Sequence, residues 1–381
     1  MLTDFRLETY FSRWEFKARY HLTASDAQTL PMSTLLAMAD DDARERWDAL
    51  TLGYTETHGL PALREAIANT YTHIDPDQVL CFAGAEEGLY LAMRTLLEPS
   101  DHVLVVTPNY QAAETVPLDI CEVTGVPLGE NWTLDIDQVA GLIRPNTRLV
   151  SVNFPNNPTG ALPDPHTWQR LTDLCRERDI ILFSDEVYRG LEDTPLPQAA
   201  DVSPTALSLN VMSKAYGLPG LRIGWIACQD RETLSRLERA KHYTSICNSA
   251  PSEILALIAL RNRDRILRRN RDIIATNIPL FNDFFGQHPH LFDWQPPQGG
   301  CVCFPRYLGG DVEKMCTDLV EQAGILLLPA SIYASALTPT PTDRFRVGVG
   351  RQGPQEALSR WLEWLATPGS RYRTFPCRPG S

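Results

Sequence analysis

From about Tyr54 onward the chain alternates two hydrophobic patterns. Short runs rich in Val, Ile and Leu are followed by longer stretches in which apolar residues return every three or four positions. Unbroken apolar runs of four to eight residues suit buried strands, and the longer period suits helices packed on one face. The pattern predicts strands over 78–83, 102–107, 120–126, 148–154, 180–184, 205–212 and 221–228. Between them it predicts helices over 61–72, 86–97, 135–142, 168–178 and 231–241, the first with Pro61 in its opening turn,. Strands and helices alternating at these lengths make βαβ units and a mostly parallel sheet.

The two ends differ from this middle. Phe5, Tyr10, Phe11, Trp14 and Phe16 recur at roughly helical spacing, which predicts a helix laying an aromatic face on the body or on a partner subunit,. After Arg231 long helical patterns take over, the longest over 252–283, followed by strand-like stretches at 298–306, 325–329 and 344–348. These predict a smaller α+β layer. The expected division is an N-terminal segment over 1–45 contributing to the small domain and substrate cover, a large domain over 46–275, a small C-terminal domain over 276–366, and a flexible tail over 367–381 rich in Pro, Gly, Arg and Ser,.

Composition narrows the function classes. The 381 residues carry a net charge of −12, which argues against nucleic acid or an anionic membrane as partner,. The basic run 261–271 is interleaved with Ile and Leu, as a solvated helix face is,. The nine cysteines are odd in number and scattered, with no Cys-x-x-Cys, so they are expected to be reduced thiols,. Cys301 and Cys303 have no nearby histidine, and no metal site is expected. The N-terminus lacks the apolar core of a signal peptide, and no apolar run approaches the ~18 residues of a membrane helix,. A cytoplasmic location follows as the expectation.

Polar residues of one chemistry stand at the ends of the predicted strands. Lys214 lies in Ser213-Lys214-Ala215-Tyr216-Gly217-Leu218-Pro219-Gly220-Leu221-Arg222. Upstream are Asn156-Asn157-Pro158-Thr159-Gly160 and Ser184-Asp185-Glu186-Val187-Tyr188. In an open parallel sheet such residues converge on one crevice. A lysine, an aspartate, an asparagine, a tyrosine and an arginine meeting there suit pyridoxal 5′-phosphate, which needs a Schiff-base lysine and an acid against its pyridine nitrogen. Asp185 closes a buried apolar run and needs a positive partner. Asn157 and Tyr188 are candidate donors to the cofactor's phenolate oxygen. Gly84-Ala85-Glu86 opens a helix whose free N–H groups can cradle a phosphate, with Arg222 supplying charge. Tyr110 can stack on the ring. Arg346, half-buried in Phe345-Arg346-Val347, can grip a substrate α-carboxylate, a role for which Arg344 and Arg351 compete. Each feature also has a plainer reading, as a surface lysine, a helix cap, a turn or a structural ion pair.

In this order and spacing, Tyr54, Gly84, Tyr110, Asn157-Pro158-Thr159-Gly160, Asp185 to Tyr188, Ser213-Lys214, Arg222 and Arg346 resemble the class I/II aminotransferases of fold type I. The resemblance spans roughly 54–351, most of the chain. It implies a large pyridoxal-phosphate domain with a mostly parallel central sheet flanked by helices, and a smaller α+β domain built from both chain ends. It implies Lys214 as the Schiff-base residue and proton carrier, Asp185 on the pyridine nitrogen, Asn157 and Tyr188 on the phenolate, and Tyr110 on the ring. Ala85, Glu86, Ser213 and Arg222 would hold the phosphate, and Arg346, with Asn157, the substrate. Tyr54 would reach the neighbouring subunit's phosphate, making a homodimer with sites at the interface. The substrates would be an amino acid and a 2-oxo acid. Two positions depart from the pattern. Val211 stands where a phosphate-contacting hydroxyl is usual, and Leu22-Thr23-Ala24-Ser25-Asp26 replaces a glycine-containing loop.

The same cofactor site also serves elimination, racemisation or cyclisation, for example of a modified arginine. A cofactor-binding regulator would need an added DNA-binding module, for which there is no room before Tyr54. A nucleotide-binding enzyme would need a Walker loop, which does not occur, or a Gly-x-Gly-x-x-Gly inside a βαβ unit, and the one at 348–353 lies past the βαβ region,. Trp14, Lys17, Tyr20 and Tyr243 are candidate contacts for the substrate side chain.

Overall fold

Seven strands form one sheet in the computed structural model, which describes residues 2–367. In chain order they are β1 (Val79–Phe82), β2 (His102–Thr107), β3 (Glu122–Pro127), β4 (Thr147–Asn153), β5 (Ile181–Asp185), β6 (Leu207–Val211) and β7 (Gly224–Ala227). Across the sheet the order is β1-β7-β6-β5-β4-β2-β3. All neighbours from β6 to β3 pair in parallel, and only β7 runs antiparallel to both β6 and β1. Helices cover both faces, so side chains of both parities are buried. Ile181 and Phe183 enter one apolar cluster, while Leu182 enters another. That double burial is why these strands read as continuous apolar runs.

The topology collects the chemistry at one edge. Because β7 is reversed, its first residue Gly224 pairs with both Phe82 and Val211, the last residues of β1 and β6. Asn153 and Asp185 end the adjacent β4 and β5 and pair with each other. The strands therefore present Phe82, Thr107, Asn153, Asp185 and Val211 along the same carboxyl edge, where open α/β sheets bind ligands.

The smaller layer draws on both chain ends. Tyr20–His21 pairs in parallel with Ile325–Leu326. Phe345–Gly348 lies between Val302–Cys303 and Leu328–Pro329, antiparallel to both. Between the two layers runs the segment 22–28. Gly348 N–H donates to Leu22 O at 2.8 Å, Ala27 N–H to Lys214 O at 3.1 Å, and Gln28 N–H to Gly350 O at 2.8 Å. A Cβ on Gly348 would lie 2.0 Å from Ala24 O. The glycine missing from the segment is thus matched by one on the strand it crosses.

The structure differs from the sequence pattern in several places. The helix expected over 252–283 is broken at Asn262 into Ala250–Arg261 and Arg263–Gly286, and the Asn262 amide donates to Met38 O and Ile258 O there. The strand stretches over 298–306 and 325–329 are cut into two-residue pieces. Within 261–271 the arginines are only partly a solvated face. Arg261 pairs with Asp40 and Asp42, Arg269 donates to Gln28 O, and Arg271 to Gly190 O. The eight described cysteines are free thiols. Among the described residues no group of His, Cys, Asp or Glu could hold a metal, and no helix is long and apolar enough to cross a membrane. The expected flexible tail lies outside the described residues beyond Thr367.

Candidate active site

Lys214 follows β6 at the carboxyl edge and faces a pocket lined also by Asn153, Asn157, Asp185, Tyr188, Ser213, Ala85, Glu86, Tyr110 and Arg222. Its Nζ donates to Ser25 Oγ at 2.8 Å. Burial, then the nearby Arg346 guanidinium, lower its pKa from the ordinary lysine value. A lysine less prone to carry a proton is a better nucleophile toward an aldehyde. Asp185 receives the Val187 N–H at 3.1 Å. Burial dominates over that bond and over Lys214, and pushes its carboxyl up to about 7. A carboxylate in that condition waits for a cation.

The donors for an oxyanion are prepared locally. Asn157 Oδ1 is occupied by Arg346 Nη1 at 3.2 Å and by Tyr333 Oη at 3.2 Å, which leaves its amide NH₂ to donate elsewhere. The Asn157 backbone N–H is held by Asn153 Oδ1 at 2.7 Å. Tyr188 is 1% exposed, and its hydroxyl closes no well-formed hydrogen bond although Ser25 is nearby. A buried phenol left without a partner in a pocket wall is a donor awaiting a ligand.

At the other end of the pocket the helix Ala85–Leu96 starts without a side-chain cap, after Gly84 at φ +96°. A Cβ on Gly84 would lie 2.3 Å from Arg222 Nη2, so glycine is what lets the guanidinium lie against the helix start. Free N–H groups beside an arginine form an anion site. Ser213 lines the same region, while Val211 offers no donor.

Arg346 is fully buried and sits behind the wall rather than on it. Its guanidinium donates to Tyr333 Oη at 2.6 Å, Thr23 O at 2.6 Å, Asn157 Oδ1 and Thr23 Oγ1. All are neutral oxygens, and among the described residues it pairs with no carboxylate. The rival arginines are engaged elsewhere. Arg351 is paired with Asp26, and Arg344 donates to Phe304 O and lies over the Trp132 ring.

The family is decided by sequence. A family model described as aminotransferase class I and II matches residues 25–365. The chain belongs to the class I and II aminotransferases. Capreomycidine synthase of Streptomyces vinaceus is 28% identical over 92% of this chain and 90% of its own length. An arginine–pyruvate transaminase of Pseudomonas aeruginosa is 29% identical over 82% of this chain and 83% of its own. A PLP-dependent aminotransferase from Streptococcus suis superposes with a TM-score of 0.88 at 29% identity, covering 96% of this chain and 97% of that one. The PLP-dependent cyclase OrfR superposes with a TM-score of 0.87 at 25% identity, covering 96% and 97%.

Enzymes of this family depend on pyridoxal phosphate, and the residues present fit it. The unpartnered Tyr188 hydroxyl, the only partly compensated Asp185 and the Arg222–Gly84 cradle are each one half of an interaction that this cofactor completes.

Four candidate contacts do not reach the pocket. Trp14 is covered by the Arg13 guanidinium, Tyr20 bonds Glu356, Tyr243 is 92% exposed, and Lys17 is likewise on the surface. Tyr54, 91% exposed, is also absent from the pocket of its own chain. Leu7, Glu8 and Phe11 line it instead, from the helix Arg6–Trp14. Leu7 and Phe11 are four apart, on one helical face, but the sequence cannot show which face turns inward. Ser25 and Asn153 were also missed, being single polar residues with no motif around them.

Proposed function

We propose that this protein is a cytoplasmic, homodimeric aminotransferase that moves an α-amino group from an amino acid to a 2-oxo acid, with Lys214 as the cofactor-bearing residue. The observation that carries the reading is the buried guanidinium of Arg346, bonded only to neutral oxygens one step behind Lys214. A buried cation held this way suits an incoming α-carboxylate.

Pyridoxal phosphate held by Lys214 supplies an electron-poor ring that can take up the electron pair of a bond at the substrate's Cα. The chain does the rest. Asp185 keeps the ring nitrogen protonated, Asn157 and Tyr188 donate to the phenolate oxygen, and Tyr110 covers the ring. Ala85, Glu86, Ser213 and Arg222 hold the phosphate, the backbone N–H groups taking the place of the hydroxyl that Val211 lacks. Arg346 orients the substrate so that its Cα–H faces Lys214, whose Nζ accepts that proton. Tyr54 serves the neighbouring subunit's site. The large and small units divide within the helix Arg263–Gly286. Its first half bonds the Lys214 loop through Asn270 and Ala215 O, and its second half packs Phe281, Phe284 and Phe285 into the small layer's aromatic cluster.

A second reading is cyclisation or elimination. It is favoured by the fit to OrfR and by the replacement of the usual glycine loop with a segment whose Ser25 bonds Lys214. The two readings share the loss of the Cα proton and part according to whether Cβ carries a leaving group.

The test is the visible spectrum of cofactor-loaded protein during addition of single amino acids without a 2-oxo acid. Loss of the visible band with one equivalent of 2-oxo acid released supports transamination. Ammonia or a cyclised product, with the band restored, supports the second reading. Absence of any band after adding cofactor refutes the role of Lys214.

A further inference from the structure

Charge on the pocket wall does not balance once cofactor and α-carboxylate have their partners. On the reading above, Asp185 is matched by the ring nitrogen, Arg222 by the phosphate and Arg346 by the substrate carboxylate. Two wall carboxylates are left over, Glu8 from the helix Arg6–Trp14 and Glu86 from the first turn of Ala85–Leu96. Both line the pocket beside Tyr110, and the charge of each acts on the other's surroundings and on the Tyr110 hydroxyl. Among the described residues neither forms an ion pair. The adjacent Glu87 shows the contrast, since it is used up by Ala83 N–H at 2.6 Å, Ser245 N–H at 3.2 Å and the Thr244 hydroxyl. Arg222 acts on Glu86 but is taken up by the phosphate on that reading, so a further cation placed between the two carboxylates is attracted to both,.

The wall beside them is apolar. Leu7 and Phe11 come from the same helix as Glu8, and the Tyr110 ring is propped by Phe5 with centroids 5.1 Å apart. An apolar stem can lie along Leu7 and Phe11, with a charged head between Glu8 and Glu86 at the Tyr110 ring, where a cation is also favoured. An acidic side chain would meet two like charges.

We propose that this site selects amino acids whose side chain ends in a cation, a planar guanidinium above all, and that Glu8 and Glu86 are the specificity-determining residues. The planar fork of a guanidinium can bond two carboxylates at once, which ranks it above an ammonium.

The test titrates cofactor-loaded protein with L-arginine, L-lysine, L-citrulline, L-norleucine and L-glutamate, reading the visible band. Citrulline copies arginine's shape without its charge. Arginine is expected to bind ~10–100-fold more tightly than citrulline, as charged hydrogen bonds of this kind imply. Glutamate is expected to be weakest. E8Q and E86Q should each shrink the arginine-to-citrulline ratio severalfold, the ratio being read on protein saturated with cofactor. Equal responses to arginine and citrulline, or ratios untouched in both variants, overturn the proposal. A normal band that responds to amino acids regardless of side-chain charge removes this inference alone, whereas absence of the band removes the cofactor reading beneath it.

Discussion

Ser25 Oγ accepts a hydrogen bond from Lys214 Nζ at 2.8 Å, joining the N-terminal segment to the lysine across 189 positions of chain. The segment has no freedom to leave that bond unmade. Ala27 N–H is fixed to Lys214 O, and Cys301 Sγ reaches Ser25 O at 3.4 Å. Ser25 is therefore a positioning residue for the amine that receives the substrate's Cα proton. One hydrogen bond contributes about 1 kcal/mol, or roughly fivefold in rate. S25A is expected to load cofactor normally and to react about fivefold more slowly, with KM little changed. The isotope effect with Cα-deuterated substrate should rise, because proton transfer becomes more limiting, and S25T should recover most of the rate. Wild-type rates and isotope effects in S25A would contradict the assignment.

The contact between Gly348 and Ala24 makes a stability prediction. Ala24 O sits where a Cβ of residue 348 would lie, and it belongs to backbone that cannot rotate away. In G348A the segment 22–28 has to lift from the strand. The expected loss is ~1–3 kcal/mol, as for other overpacked sites. Because Thr23 is also bonded to Arg346, substrate KM should rise as well. Thermal melts of the two proteins check the first effect and steady-state kinetics the second. An unchanged Tm together with an unchanged KM would show that the segment is not packed as described.

Asp185 sets a pH dependence that cofactor removal exposes. Its carboxyl is pushed up to about 7 in the folded protein, from an ordinary 3.8. The folded state therefore holds the proton more tightly than the unfolded state. Below about pH 4 both states are protonated and burial carries no penalty. Between about pH 4 and about pH 7 the unfolded state ionises first, so stability falls as pH rises. Lys214 and the Val187 N–H, which face the carboxylate, only partly offset this, and Glu186 adds to it. Cofactor-free wild type is expected to lose Tm relative to cofactor-free D185N as pH goes from 5 to 8. Bound cofactor should abolish the wild-type loss by supplying a cation. Parallel curves for the two cofactor-free proteins would show that Asp185 is not the group responsible.

Much of the large sheet was legible because its strands are buried on both faces. The span 102–107 is a strand over the expected residues, and 231–241 a helix over the expected residues. The small layer was harder. Its strands are two to four residues long, too short for a period to register, and their edges are set by crossing segments such as 22–28. The break at Asn262 depends on a bond to Met38 O, far away in sequence. At the site, Lys214, Asp185, Asn157, Tyr188 and Arg222 lie at strand ends or in glycine-bearing loops, where residue type and position carry the message. Glu8, Ser25 and Asn153 carry none in sequence, since only the path of the chain brings them to the pocket. Trp14 turns away because a helix of aromatic residues does not reveal which of its faces turns inward, and Tyr20 because its strand pairing with Ile325–Leu326 is set by residues far along the chain.

Tyr54 supplies the last prediction. Its side chain is 91% exposed and absent from its own chain's pocket lining, and Leu52 and Tyr243 are exposed to 87% and 92%. Large side chains left this open suit a surface covered by a second copy. If Tyr54 completes the partner's phosphate site, each site takes Lys214 from one chain and Tyr54 from the other. Y54A and K214A are then each impaired alone, K214A severely. Unfolding and refolding the two together gives hybrids with one site carrying both defects and one carrying neither. Random pairing makes half the dimers hybrid, so roughly a quarter of all sites regain wild-type composition. The expected outcome is recovery of about that share of wild-type activity. It should be absent when the two proteins are mixed without exchange of subunits. Activity no greater than the sum of the separate variants, after subunit exchange has been verified with differently tagged chains, would place Tyr54 outside the neighbouring site.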